Sequence, residues 1–105
     1  MENTNAYQSA FDYVGKPGEA FLNLVLTEES TSVFDSKTHE LVGLAALTAA
    51  KMEGGVRIHT KAAKKAGATW EEVKSAVLAA LPATGFSAIL LLKIALDSYN
   101  EEEVP

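Results

Sequence analysis

The sequence predicts an all-α protein, a helical bundle of about six helices in one domain over residues 1–105. Alanine and leucine, two strong helix formers, occur 17 and 12 times, against three prolines and seven glycines. Apolar residues recur at helical spacing, and no segment alternates apolar and polar residues as a half-buried strand does. With 48% hydrophobic and 22% charged residues, the composition is that of a folded protein.

The first two helices are predicted before residue 30. An amphipathic stripe at i, i+3, i+4 and i+7 marks the first helix and consists of Tyr7, Ala10, Phe11 and Val14. Gly15-Lys16-Pro17 ends it, because glycine favours a helix end and proline a helix start. The second helix is expected from about Gly18 to Glu29, followed by the polar connection Ser30-Thr31-Ser32.

A third and a fourth helix form the centre of the expected fold, as an antiparallel pair joined at Gly54-Gly55. Asp35 is a suitable N-cap for the third helix, because its carboxylate accepts hydrogen bonds from free amides of the first turn. From Leu41 to Ala50 this helix is apolar all round, which predicts burial on all sides and covering by another subunit. The fourth helix is expected from about Gly55 to Ala66, with Gly67 as its C-terminal stop.

The remaining two helices complete the predicted bundle. Thr69 and Glu72 have the spacing of a capping box at the start of the fifth helix. The apolar side of that helix is predicted to bury Trp70, Val73, Val77, Ala80 and Leu81. The sixth helix is expected from about Gly85 to Tyr99, before an acidic tail.

Charge and cysteine content argue against several classes of function. The net charge of −5 and the single arginine argue against nucleic acid as a partner, because phosphate-backbone binders of this size are basic. The absence of cysteine removes disulfide frameworks, thiolate metal sites and dithiol redox chemistry. The uncharged stretch from Ser75 to Leu92 is interrupted by Pro82 and Gly85, so we expect no membrane span. Because the polar N-terminus carries no secretory signal, we expect a cytoplasmic protein.

His59 and Glu40 are the best candidates for acid–base chemistry. His59 lies about 200° around its helix from Arg57, so it faces inward while the basic residues face outward. Glu40 lies on the same side of its helix as Leu44 and also faces the interior. His59 is therefore either a core histidine with one hydrogen bond or a general acid/base oriented by the glutamate. No metal-binding spacing such as H-E-x-x-H includes His39, so no metal ion is expected.

An anionic group could bind at the start of the fourth helix. Gly54-Gly55 leaves the first amides of that helix without side chains, which makes Gly55 a candidate for carboxylate binding. The same two glycines also fit an ordinary tight turn between helices. Arg57 and Lys51 are further candidates for pairing with a carboxylate.

Three motifs carry a resemblance to a known family. The segments Asp35-Ser36-Lys37-Thr38-His39-Glu40-Leu41-Val42 and Ala66-Gly67-Ala68-Thr69-Trp70-Glu71-Glu72-Val73 flank the inward His59 in this order. Over roughly Asp35 to Leu92, the chain resembles the carboxymuconolactone decarboxylase family of the AhpD-like superfamily. The resemblance implies the fold of that superfamily and places the family's glutamate on Glu40 and its histidine on His59.

The resemblance also separates two chemical branches of the superfamily. The two cysteines of the alkylhydroperoxidase branch fall on Met52 and Gly55, so this chain is more similar to the decarboxylase branch, which also lacks them. His39 stands where the family pattern has an arginine, and Ser87 stands where it has a proline.

The resemblance implies a lyase that decarboxylates a small carboxylated lactone or a related acid. His59 and Glu40 would supply acid–base catalysis without thiol or cofactor, and Gly55, Arg57 and Lys51 would bind the small-molecule carboxylate. A homo-hexamer built as a trimer of dimers is also implied. The alternative hypothesis is a non-catalytic oligomeric module that binds a small molecule or a protein and has no peroxidase activity.

Overall fold

The computed structural model describes residues 12–102, and within this range all regular structure is helical. This confirms the all-α bundle. The chain divides into two compact units, Met1–Val33 and Phe34–Pro105. The α-helices are α1 Lys16–Thr31, α2 Ser36–Ala49, α3 Glu53–Lys65, α4 Trp70–Ala79, α5 Leu81–Thr84 and α6 Leu90–Asn100, with a 3-10 turn at Phe86–Ile89.

The N-terminal unit contains α1. Gly15 precedes this helix at φ 80°, a left-handed conformation that suits glycine, and a proline occupies the first turn, as the sequence predicts. The helix is two residues longer at each end than expected. The predicted helix before it, with its stripe from Tyr7 to Val14, lies outside the described residues except for residues 12–14, which are helical.

In the C-terminal unit, α2 and α3 pack side by side more extensively than any other two helices. The core consists of apolar side chains from four helices and one loop, namely Leu44, Val56, Ala63, Ala68, Val73, Val77, Leu91 and Ala95. Only one side of α2 is fully buried, at Leu44 and Thr48, while Val42 remains 51% exposed. Within one chain the other sides of this helix are therefore not covered, and its burial on all sides by another subunit stays a prediction.

The turn between α2 and α3 lies earlier than predicted. It consists of residues 50–52, in which Lys51 adopts a left-handed conformation at φ 57°. Gly54 and Gly55 belong to the first turn of α3, so they do not end α2. Gly55 has a packing role, because a Cβ atom added to it would lie 2.7 Å from Leu47 Cδ2.

Two capped helix starts lie close together. The Asp35 carboxylate accepts a hydrogen bond of 2.7 Å from the amide of Thr38 at the start of α2. At the start of α4, the capping box is confirmed: Thr69 Oγ1 accepts from the Glu72 amide, and Glu72 Oε1 accepts from the Thr69 amide. Glu72 Oε2 also lies 2.9 Å from Lys37 Nζ, which links the first turns of α2 and α4.

The C-terminal segment is more interrupted than expected. In place of one helix from Gly85 to Tyr99, the chain forms a 3-10 turn and then α6, and the short α5 precedes Gly85, which is left-handed at φ 84°. The end of α6 is fixed by Tyr99, whose hydroxyl donates to the Ala68 carbonyl over 2.8 Å. Lys64 donates to the Tyr99 carbonyl over 2.7 Å. Across residues 12–102, no helix is both long and apolar enough to cross a membrane.

Candidate active site

His59 and Glu40 meet where α3 packs against α2. The Nδ1 atom of His59 lies 3.2 Å from Oε2 of Glu40, although the two residues are 19 positions apart in sequence. The side chain of His59 is 40% exposed and that of Glu40 is 18% exposed. The pair is thus held by the fold and still open to a small molecule from solvent.

The antiparallel arrangement of α2 and α3 produces this meeting. Leu47 contacts the position of Gly55, and Gly43 faces His59 one helical turn along. Because the two helices are antiparallel, earlier residues of α2 lie beside later residues of α3. Glu40, one turn before Gly43, therefore reaches His59. These residues recur at the i, i+3 and i+4 spacing of one helix face, which is the signal that the sequence carries for the pairing.

The contact with Glu40 assigns different roles to the two nitrogens of the imidazole ring. An ionised carboxylate only accepts hydrogen bonds, so Nδ1 of His59 is the donor. In the neutral ring, the other nitrogen, Nε2, then carries the lone pair and acts as a base. In the protonated ring, Nε2 carries a proton that it can donate. The arrangement is suited to proton transfer through Nε2.

The three residues predicted to bind a carboxylate have different surroundings. Gly55 is buried one turn before His59 on the same helix face, about 6 Å along the axis. Arg57 is exposed, and Lys51 is exposed in the turn before α3. Lys51 adopts the left-handed conformation that the turn requires, which gives this residue a structural role. The structure therefore brings His59 and Glu40 together and places only Gly55 on their helix face.

A concave surface lies on another side of α2. An apolar groove of about 510 Å³ runs between α2 and α4 and is lined by Leu41, Val42, Ala45, Glu71, Glu72, Ser75, Ala76 and Ala79. Neither His59 nor Glu40 lines it. Among the residues that the structure describes, no group of three or more His, Cys, Asp or Glu side chains is arranged to hold a metal ion.

Gly43 is a residue of this site that the sequence analysis did not select. A Cβ atom at this position would lie 4.0 Å from His59 Nδ1. Its position three residues after Glu40 places both residues on the same face of α2. Without the register between α2 and α3, that spacing alone does not indicate contact with a histidine.

Comparison with known proteins identifies the family. The sequence model of the carboxymuconolactone decarboxylase family matches residues 18–97, which include Glu40, Gly43 and His59. Neither a curated protein nor a solved structure matches the chain. The family match covers well over half of the sequence and agrees with the helical fold and the absence of cysteine. The chain therefore belongs to the carboxymuconolactone decarboxylase family.

Proposed function

We propose that this protein is a carboxy-lyase that removes carbon dioxide from a small carboxylated lactone or a related acid. The observation that carries the proposal is the 3.2 Å contact between His59 and Glu40 on an accessible helix face. Membership of the carboxymuconolactone decarboxylase family supports the substrate class. A sequence without cysteine has no thiolate to attack a peroxide or disulfide, so a thiol peroxidase cycle is not proposed.

The proposed reaction needs one proton and a place for the electron pair of the bond that breaks. The bond between the ring carbon and the carboxylate carbon breaks, and carbon dioxide leaves. Its electron pair enters the conjugated system of the lactone, which accepts a proton from Nε2 of His59. The proton replaces the carboxylate on the product, and the neutral imidazole regains a proton from water. Positioned proton transfer of this kind contributes about 10²–10⁴-fold in rate.

Glu40 has a positioning role in this proposal. Its carboxylate accepts from Nδ1, which holds the ring in place and leaves Nε2 as the nitrogen that delivers the proton. For the substrate carboxylate, we propose the amides at the start of α3, near Gly55, because a helix N-terminus attracts anions. Arg57 and Lys51 are secondary candidates for that contact, because both are exposed cations near the same helix.

The proposal is tested by measuring carbon dioxide release from 4-carboxymuconolactone, other carboxylated lactones and β-keto acids. We expect His59→Gln to lower kcat by about 10²-fold or more, and His39→Gln, the matched change at the other histidine, to leave it unchanged. Circular dichroism confirms that both variants fold. Equal turnover by the wild type and His59→Gln would refute the assigned role of His59.

The same set of compounds also tests the alternative that the protein is a non-catalytic binding module. If the wild type releases no carbon dioxide from any compound, and a ligand binds equally to the wild type and His59→Gln, the protein is a binding module. That function would fit the apolar groove between α2 and α4 better than the His59–Glu40 pair.

We also propose that the protein is a homo-hexamer assembled as a trimer of dimers. Each unit exposes large apolar side chains, which favours covering by other copies. In α1, Phe21 and Leu24 are 55% and 61% exposed, and in the C-terminal unit Phe86 and Leu90 are 76% and 75% exposed. Light scattering during size-exclusion chromatography tests this, and a monomer of 11.2 kDa would contradict it.

A further inference from the structure

The apolar groove between α2 and α4 has two distinct ends. Lys37 in the first turn of α2 lies 2.9 Å from Glu72 in the first turn of α4, so both helices begin at the same end. The exposed carboxylate of Glu71 lines the groove at this end. Farther along, the walls are apolar and include Val42, which is 51% exposed, and Ala79. A complementary surface is therefore apolar and carries a cation at one end.

A cation marks the other end of the groove. Exposed Lys51 follows the end of α2, whereas α3 packs against a different side of α2, at Leu47. From Ser36 to Lys51 the chain extends about 22 Å along the axis of α2. The charge is thus negative at the end near Glu71 and positive at the end near Lys51.

Helix α1 has a surface of matching character. Phe21, Leu24 and Val25 lie on one face of it and are 55%, 61% and 40% exposed. Lys16, the only cation in this helix, lies at its start, and Glu29 lies in its last turn. These two charges are about 20 Å apart along the helix axis. The apolar face of α1 is therefore flanked by charges opposite in sign to those of the groove, at nearly the same spacing.

A second copy of the chain fits this groove and this helix better than a lipid surface does. Helices that lie on membranes carry Lys and Arg on their polar face, whereas α1 has three glutamates and one lysine. In a single chain, the apolar face of α1 and the groove are both exposed. Each copy thus offers one helix and one groove, and neighbouring copies cover both. A contact between two different surfaces also closes into a ring when its rotation allows.

We infer that α1 of one copy lies in the groove between α2 and α4 of a second copy. In this arrangement Lys16 approaches Glu71 of the partner subunit, and Leu24 and Val25 pack beside Ala79 of the partner subunit. The inference rests on the proposed homo-oligomer and deepens it, because it assigns the two surfaces through which copies meet. Burial of the apolar face stabilises α1, since an isolated helix of this length is marginal in water.

The absence of cysteine from the sequence allows a direct test by cross-linking. Val25→Cys and Ala79→Cys are combined in one chain, and a short bismaleimide joins thiols that lie close together. We expect covalent dimers and larger products on a denaturing gel. Asn23→Cys combined with Ala79→Cys is the matched control, because Asn23 lies about 160° around α1 from Val25 and should give at least about tenfold less product.

The direction of α1 along the groove is tested by exchanging charges. In the Val25→Cys/Ala79→Cys chain, Glu71→Lys is expected to weaken the association of copies by up to about fivefold, because it replaces an attraction to Lys16 by a repulsion. Adding Lys16→Glu to the same chain restores an opposite-charge pair and should restore the cross-linked yield. Failure of the second change to restore the yield would overturn the assigned direction.

The cross-linked products distinguish the possible positions of α1. Linkage within one chain, seen as a monomer that migrates faster, would show that α1 covers its own groove and would overturn the inference. The inference also fails if the Asn23 control links as well as the Val25 chain, or if neither links. Light scattering of the wild type separates this failure from that of the proposed assembly. A hexamer without the Val25–Ala79 link refutes only this contact, whereas a monomer refutes both.

A second measurement does not depend on cysteine. Leu24→Glu places a charge on the apolar face of α1 and is expected to shift the assembly to smaller species in light scattering. Asn23→Glu adds the same charge to the opposite side of α1 and should leave the assembly unchanged. Circular dichroism shows that both variants fold. Equal effects of the two changes, or an intact assembly in Leu24→Glu, would contradict the inferred contact.

Discussion

Oε2 of Glu40 and Nδ1 of His59 lie 3.2 Å apart on neighbouring helices, and this contact fixes which nitrogen of the ring is free for chemistry. The glutamate is largely covered at 18% exposure, while the histidine is 40% exposed. The partly buried carboxylate of Glu40 therefore holds Nδ1, and Nε2 remains available to a bound molecule. The relationship links the antiparallel packing of α2 and α3 directly to the proposed proton transfer.

Replacing Glu40 by Gln is expected to change the tautomer of neutral His59. With the carboxylate present, the proton resides on Nδ1, because only that tautomer makes the charge-assisted hydrogen bond. A Gln side chain also offers an amide donor, so the preference weakens and Nε2–H becomes populated. The ¹⁵N chemical shifts of the ring report the two tautomers. We also expect kcat for decarboxylation to fall by about 10–100-fold.

A control for this experiment is Glu53→Gln, which removes one carboxylate from the exposed start of α3. It is expected to leave the ring shifts of His59 unchanged. Unaltered ¹⁵N shifts in Glu40→Gln would show that the carboxylate does not select the tautomer.

Adjacent glycines at the start of α3 are expected to respond oppositely to alanine. Gly55→Ala inserts a methyl group 2.7 Å from Leu47 Cδ2 and 3.3 Å from its Cγ, so the free energy of unfolding should fall by about 1–3 kcal/mol. Gly54→Ala meets no atom within 4 Å and should be neutral or stabilising by up to about 1 kcal/mol. Urea unfolding measures both. Equal effects of the two changes would contradict the close approach of the helices at Gly55.

Two buried threonines offer a second matched comparison. Oγ1 of Thr60 is buried and has no hydrogen-bond partner among the described residues, whereas Oγ1 of Thr48 donates to the Leu44 carbonyl over 2.8 Å. Thr60→Val keeps the shape and removes the unpaired hydroxyl, so stability should rise by about 1–3 kcal/mol. Thr48→Val should lower it by about 1 kcal/mol. Thermal unfolding that shows a loss in Thr60→Val would indicate a partner for this hydroxyl.

The helix caps predict a loss of stability in acid. The backbone amide of Thr38 lowers the pKa of Asp35 from its ordinary 3.8, and the Thr69 amide, followed by Lys37, lowers the pKa of Glu72 from its ordinary 4.5. The unfolded chain therefore binds more protons in this range than the folded chain does. The stabilisation is complete above the ordinary pKa values and is lost as the pH falls through the lowered ones.

This pH dependence is measured by urea unfolding between about pH 7 and about pH 3. Asp35→Asn retains an N-cap oxygen but does not titrate, so the slope below about pH 5 should become shallower. An unchanged slope in Asp35→Asn would show that the Asp35 carboxylate does not contribute to the acid transition.

The sequence predicts the parts of this fold that depend on local chemistry. Asp35 and the Thr69–Glu72 capping box are confirmed as helix starts because capping involves residues only three positions apart. The inward direction of His59 also follows from helix geometry. The turn before α3 is not predicted at its true position. Gly54-Gly55 indicates a helix end there, whereas the turn is formed around Lys51, which is left-handed at φ 57°.

Features that depend on contacts between distant residues were not predictable. The distance from Glu40 to His59 depends on the register of α2 against α3, which is fixed by the packing of Leu47 over Gly55. The position of Gly43 opposite His59 follows from the same register. A helix boundary at Gly85 is expected from the sequence, but the short α5 before it and the 3-10 turn after it are not, because apolar residues continue on both sides of Gly85.

The turn of residues 50–52 has a consequence for the order in which the molecule assembles. Because only three residues join α2 to α3, the loop that closes when the two helices meet is short, and its entropic cost is small. Glu40 and His59 both belong to this hairpin, so their contact spans 19 positions within two consecutive helices. Local contacts of this kind form early and quickly in folding. We therefore expect the Glu40–His59 pair to form together with this hairpin, before α4 and α6 pack onto it.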